Sequence, residues 1–95
     1  MRLTGKKAII TGAANGIGRA IFLRFTEEGG DVVAVDQDEK GLDETISLVT
    51  NPNVQVHKCV CDVSSKASVG RMVLQSIKLL KSIDIIVNCA AAFRF

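Results

Sequence analysis

Three glycines, Gly12, Gly16 and Gly18, stand between a short apolar run and an amphipathic one, and an aspartate follows at Asp36. Glycines in such a turn adopt backbone conformations closed to other residues and let a bulky anion approach the chain. A helix starting there presents free amide N–H groups and about half a unit of positive charge. The spacing Gly12-x-x-x-Gly16-x-Gly18 differs from the commoner GxGxxG but meets the same needs. Gly12 makes the turn, Gly16 admits a phosphate, and Gly18 brings the helix against the sheet. The expectation is that amide hydrogens of residues 12–18 enclose a diphosphate. Taken alone, the glycines also fit an ordinary strand-to-helix turn.

Asp36 narrows the choice. It lies 18 residues after Gly18, close to the ~20 at which an acid grips the ribose hydroxyls of a dinucleotide. Its other reading is a helix start, in competition with Asp38. A carboxylate here accepts from a 2′,3′-diol and repels a 2′-phosphate. Asn15 and Gln37, where a cation would offset that repulsion, are neutral. NAD is therefore expected rather than NADP. Further along, Asp62 can accept from an adenine amino group while Val63 covers the ring. Capping a helix is the rival role for Asp62. Asn88 closes the last apolar run.

The elements that must position these residues follow from periodicity. Ala8-Ile9-Ile10 reads as a strand entering the glycine turn. Ile17, Ala20, Ile21 and Phe25 mark the apolar stripe of a helix over 17–28, widened by Phe22 and Leu23 and stopped by Gly29-Gly30. Asp31 to Asp36 is a second strand, whose four consecutive apolar residues predict burial on both faces. Leu42, Ile46 and Val49 mark a second helix, ended by Asn51-Pro52-Asn53. Residues 54–61 read as a third strand. A third helix capped by Ser64 or Ser65 carries the stripe Val69, Met72, Val73, Ile77 and Leu80, with Gly70 weakening it. Residues 83–88 form a fourth strand.

The sum is βαβαβαβ, which predicts parallel strands joined by right-handed crossovers. The fold class is α/β, a Rossmann-type doubly wound sheet with strand order 3-2-1-4. The crevice between the first and fourth strands is its ligand-binding switch point. The expected organisation is one NAD(P)-binding domain over 1–95, cut short after its first half, because the fourth strand is left as an apolar edge.

Four separated elements together resemble the short-chain dehydrogenase/reductase family. Thr11-Gly12-Ala13-Ala14-Asn15-Gly16-Ile17-Gly18 is similar to its TGxxxGIG loop, and Asp36 to the acid of its NAD-preferring members. Cys61-Asp62-Val63 resembles the adenine-side segment, and Asn88-Cys89-Ala90-Ala91 the Asn-Asn-Ala-Gly motif after the fourth strand. Cys89 stands where that motif has Asn, and Ala91 where it has Gly, adding a methyl near the expected ribose path. The resemblance implies cofactor contacts at Gly12, Asn15, Gly16, Ile17 and Gly18 in the loop, at Asp36, Asp62 and Val63 on the adenosine side, and at Asn88 and Ala90. It implies hydride transfer between NAD and a small-molecule alcohol or carbonyl, and possible homo-oligomers in a full-length form. The family's Ser and Tyr-x-x-x-Lys relay falls beyond these positions. The sequence holds no Tyr, so no catalytic residue is assigned and the chain by itself is expected not to turn over. The alternative is a truncated form or pseudoenzyme that binds dinucleotide or pairs with full-length subunits.

Composition excludes other classes. A net charge of +2, evenly spread, gives no footprint for nucleic acid. No apolar run reaches the ~18 residues of a membrane span, and the N-terminus has no apolar signal core. Three cysteines, an odd number, point to reduced thiols and a cytoplasmic location. Cys59 and Cys61 alternate onto one strand face as ordinary strand thiols, and no metal is expected. The loop lacks the Gly-Lys-Ser/Thr of an NTP-hydrolysing phosphate loop. A class I methyltransferase also places its cofactor on a glycine turn with an acid after the second strand, but the Thr-Gly-x-x-x-Gly-Ile-Gly pattern favours the dehydrogenase.

Overall fold

The computed structural model describes residues 2–89. Its elements run β1 (Lys7–Thr11), α1 (Gly16–Glu27), β2 (Asp31–Asp36), α2 (Glu39–Ser47), β3 (Val56–Val60), α3 (Lys66–Leu80) and β4 (Ile85–Asn88). The four strands form one parallel sheet in the order β3-β2-β1-β4. Alternation along the strands divides the core into two layers. Ala8, Ile10, Val32 and Ala34 pack with Phe22 and Phe25 of α1 and Leu42 of α2 on one face. Ile9, Val33, Val35, Cys59 and Cys61 pack with Met72 and Leu80 of α3 on the other. The run Val32–Val35 is fully buried because both faces are covered, as expected for a doubly wound sheet.

Helix faces differ from the expected stripes in two places. α1 buries Gly18, Phe22, Phe25 and Thr26, whereas Ile17 is 76% exposed and Ala20 is also exposed. The cause is Gly18: a Cβ there would lie 1.9 Å from the Gly12 carbonyl oxygen. This side of α1 rests directly on backbone, and the contact turns Ile17 outward. α3 buries Ser76 in place of Ile77, which is exposed along with Leu74. Ser76 is tolerated inside because its hydroxyl donates to the Met72 carbonyl at 2.8 Å.

Boundaries also shift. α2 ends at Ser47, before the Asn51-Pro52-Asn53 stop, as Leu48 and Val49 tighten onto the Thr45 and Ile46 carbonyls. β3 and β4 are shorter than expected, since only residues 56–60 and 85–88 meet a neighbouring strand in register. Of the two candidate caps for α3, Ser65 serves, its side chain accepting from the Ser68 N–H at 3.2 Å. β4 is an edge strand, and its Ile86 is 58% exposed.

Two glycines give opposite predictions. Gly18→Ala forces a methyl into the Gly12 backbone and should cost about 1–3 kcal/mol or more. Gly70, with nothing within 4 Å of an added Cβ, should gain about 0.8–1 kcal/mol as Ala. Urea unfolding of both variants checks the pair; equal effects would contradict the close approach at Gly18.

Candidate functional site

The carboxyl ends of β1 and β2 lie side by side. Thr11 pairs with Val35 in the parallel register, which sets Gly12 beside Asp36 on one edge of the sheet. Gly12 and Gly16 both take left-handed backbone angles, with φ of 71° and 58°, conformations that favour glycine. Gly16 borders open space, with nothing within 4 Å of where a side chain would start. The loop is therefore bare on one side and pressed against β1 on the other.

The amides divide into two sets. Ala13 N–H donates to the Val35 carbonyl at 3.2 Å, and Ala14 N–H to Asp36 Oδ2 at 3.1 Å. The first helical bond of α1 runs from Arg19 N–H to the Asn15 carbonyl at 3.3 Å. Asn15, Gly16, Ile17 and Gly18 precede it and have no intrahelical acceptor for their N–H groups. Asn15 is the N-cap residue, but its side chain makes no capping bond, and no acid lies in the first turn. Within residues 12–18, the Ala13 and Ala14 amides are thus spent inside the fold, and those of 15–18 lack a helical acceptor.

Asp36 is placed by the loop it serves. Its Oδ1 accepts from the Asp38 N–H at 3.1 Å, while Oδ2 takes Ala14. It does not cap α2; Asp38 does, accepting from Gly41 N–H at 3.0 Å. A carboxylate has about four lone-pair sites, so each oxygen retains capacity for a ribose hydroxyl.

Asp62 follows β3 and is exposed, its Oδ1 accepting from the Ser64 hydroxyl at 2.6 Å and the Ser64 N–H at 3.0 Å. Those donations, the hydroxyl's foremost, hold its carboxyl below the usual value. It makes a local turn and leaves the cap of α3 to Ser65. Val63 is half-buried against the α3-side core. Asn88 ends β4 opposite Thr11, whose hydroxyl donates to Asn88 Oδ1 at 2.7 Å and ties the two walls of the crevice together. Ala90 lies outside the described residues.

Sequence reasoning missed a polar clasp behind the loop. Arg19, a charged residue off the apolar stripe of α1, donates Nε–H to Thr45 Oγ1 at 2.8 Å, and its Nη2 reaches the carbonyls of Ala14 and Gly41. The Thr45 hydroxyl is fully buried and donates to the Ala13 carbonyl at 2.7 Å. One signal was present: a threonine inside the apolar stripe of α2 needs a polar partner.

Cys59 and Cys61 sit as core thiols, whereas Cys89 is half-buried. Burial pushes Cys59 up, with Cys61 adding to it, and burial likewise raises Cys61, aided by Asp62 and opposed by Arg71. Protonated thiols are poor nucleophiles and ligands. No group of metal-ligating side chains gathers among the described residues, and no helix there is long and apolar enough to cross a membrane.

A family model described as short chain dehydrogenase matches residues 6–94. The chain is similar to 7alpha-hydroxysteroid dehydrogenase of Escherichia coli K12, 34% identical over 90 residues, covering 95% of this chain and 35% of that protein. The fold matches the crystal structure of a short-chain dehydrogenase/reductase from Burkholderia xenovorans with TM-score 0.85 at 46% identity, over 92% of this chain and 35% of that one. It also matches 3-ketoacyl-(acyl-carrier-protein) reductase from Brucella melitensis complexed with NADH, with TM-score 0.76 at 30% identity, over 87% of this chain and 33% of that one. The chain thus spans about a third of the length of each.

The Asp62 turn yields a pH prediction. A depressed carboxyl favours the native turn above its unfolded value and loses that preference as pH falls through the native one. Ser64→Ala should move the Asp62 titration, followed by NMR, up toward the ordinary carboxylate range. An unmoved midpoint would contradict the hydroxyl as the main cause.

Proposed function

This chain belongs to the short-chain dehydrogenase family, and on that premise we propose that it is the NAD-binding portion of an oxidoreductase that interconverts an alcohol and a carbonyl. One observation carries the reading. The amides of residues 15–18 lack intrahelical acceptors at the end of β1, and one strand over stands the Asp36 carboxylate with lone pairs to spare. Between them they match the two anchors of an adenosine diphosphate: donors for the phosphates and an acceptor for the ribose diol.

In this reading the N–H groups of Asn15, Gly16, Ile17 and Gly18 bind the diphosphate, and Gly12 shapes the turn. Asp36 accepts from the adenosine ribose. Asp62 accepts from the adenine amino group, with Val63 against the ring. Asn88 and Ala90 border the path toward the nicotinamide ribose. When bound, the nicotinamide supplies hydride chemistry; these residues hold and orient it.

Preference for NAD over NADP follows from charge. A 2′-phosphate would meet the Asp36 carboxylate, and the loop's own cation, Arg19, is engaged with Ala14, Gly41 and Thr45. The NADH complex of the Brucella reductase supports the same choice. The chain contains no Tyr, so we propose that it does not turn over by itself. With its described cysteines unpaired, the cytoplasm is the proposed compartment. A second, non-catalytic reading, pairing with a full-length subunit, draws on the exposed β4 edge.

Asp36→Ala tests the ribose role. Calorimetric titration should show NAD weakened by at least about tenfold, the worth of one lost charge-assisted hydrogen bond. NADP should weaken less, so that the ratio between them shrinks. Equal losses for both cofactors would contradict the assignment.

A further inference from the structure

We propose that Arg19 is a positioning residue of this site: by holding the Ala14 carbonyl, it aims the Asn15 amide at the bound diphosphate. The inference rests on the dinucleotide reading above. The Arg19 side chain lies between the loop and α2 and is 27% exposed. Its Nε–H is anchored on Thr45 Oγ1 at 2.8 Å, and Nη2 donates to the carbonyls of Ala14 and Gly41, the second at 3.3 Å. Glu44 Oε1 lies 3.5 Å from Nη2 at the exposed rim. Thr45 in turn donates to the Ala13 carbonyl at 2.7 Å. The carbonyls of Ala13 and Ala14, successive residues of the glycine turn, are therefore drawn to the same side, toward α2.

Peptide planarity turns this into a statement about amides. A trans peptide unit carries its C=O and N–H on opposite sides, and no cis bond occurs among the described residues. Holding the Ala13 carbonyl toward α2 directs the Ala14 N–H the other way, where Asp36 Oδ2 takes it at 3.1 Å. Holding the Ala14 carbonyl toward α2 directs the Asn15 N–H away from α2 in the same manner. Asn15 is exposed, and its amide finds no acceptor among the described residues. The Ala14 peptide shows the device at work; the Asn15 peptide repeats it with the position left for the ligand.

Gly41 lets α2 approach closely enough for this. A Cβ there would lie 2.7 Å from the Ala14 Cβ and 3.1 Å from its carbonyl oxygen. A planar fork suits the task because it reaches Thr45 and two carbonyls at once, which a lysine ammonium on a flexible stem does less well. Its positive charge also adds to that of the helix start.

The test separates diphosphate from nucleoside. ADP-ribose and adenosine are titrated into the wild-type chain, Arg19→Met and Arg19→Lys, with circular dichroism confirming the fold of each. ADP-ribose affinity should fall about tenfold in Arg19→Met, the loss expected for one weakened charge-assisted contact, and by less in Arg19→Lys. Adenosine affinity should stay within about twofold, since its ribose contact does not use the Asn15 amide. Amide hydrogen exchange on the wild-type chain gives a readout independent of any variant: ADP-ribose, and not adenosine, should protect Asn15 N–H. Equal losses for both ligands, or protection of residues 16–18 without Asn15, would overturn the positioning role and leave the dinucleotide reading standing. A wild-type chain that binds neither ligand would overturn both.

Discussion

The contact on which this architecture depends is the approach of Gly18 to the Gly12 carbonyl. No side chain intervenes there, and a single added carbon would sit 1.9 Å from the oxygen. Because the approach is that close, α1 starts directly over the end of β1, with its first amides beside the sheet edge. The rest of the helix follows from this seat. Phe22 and Phe25 fall inward, one and two turns on, and each buried ring contributes about 1.5–3 kcal/mol. Ile17 is turned outward at the mouth of the loop.

The second constraint is that the loop's polar groups are shared out before any ligand is considered. Ala13 and Ala14 give their N–H groups to β2, and their carbonyls to Thr45 and Arg19. What remains is a short row of donors at 15–18. A site whose backbone is already fixed loses little entropy on binding, and that preorganisation favours affinity. Asp36 joins the two ends, since the carboxylate proposed for the ribose also holds the loop through Ala14.

Much of this was legible in the sequence. The alternation of apolar runs gave the element order and, with the crossover rule, parallel strands, while the order β3-β2-β1-β4 came with the Rossmann-type fold class. Gly12, Gly16, Gly18 and Asp36 stand out in the sequence because backbone sterics and chain length leave a strong mark on residue type and spacing. The face of α1 was misjudged because periodicity counts apolar residues, whereas Gly18, which carries no side chain, decided the rotation. Ser76 and Thr45 were missed for a related reason: their hydroxyls are satisfied inside the core, one by its own helix and one by a distant loop. Arg19 does not stand out in the sequence because two of its partners are backbone carbonyls, which no residue pattern announces.

The place where a nucleotide lies decides the role of the glycine turn and Asp36. Crystals of the chain grown with NAD would settle it directly. The diphosphate should lie within hydrogen-bonding distance of the amides of residues 15–18, with the adenosine ribose hydroxyls on Asp36. A nucleotide seated elsewhere, on the outer face of α3 or along β4, with the Asp36 carboxylate left to Ala14 and Asp38 alone, would contradict it.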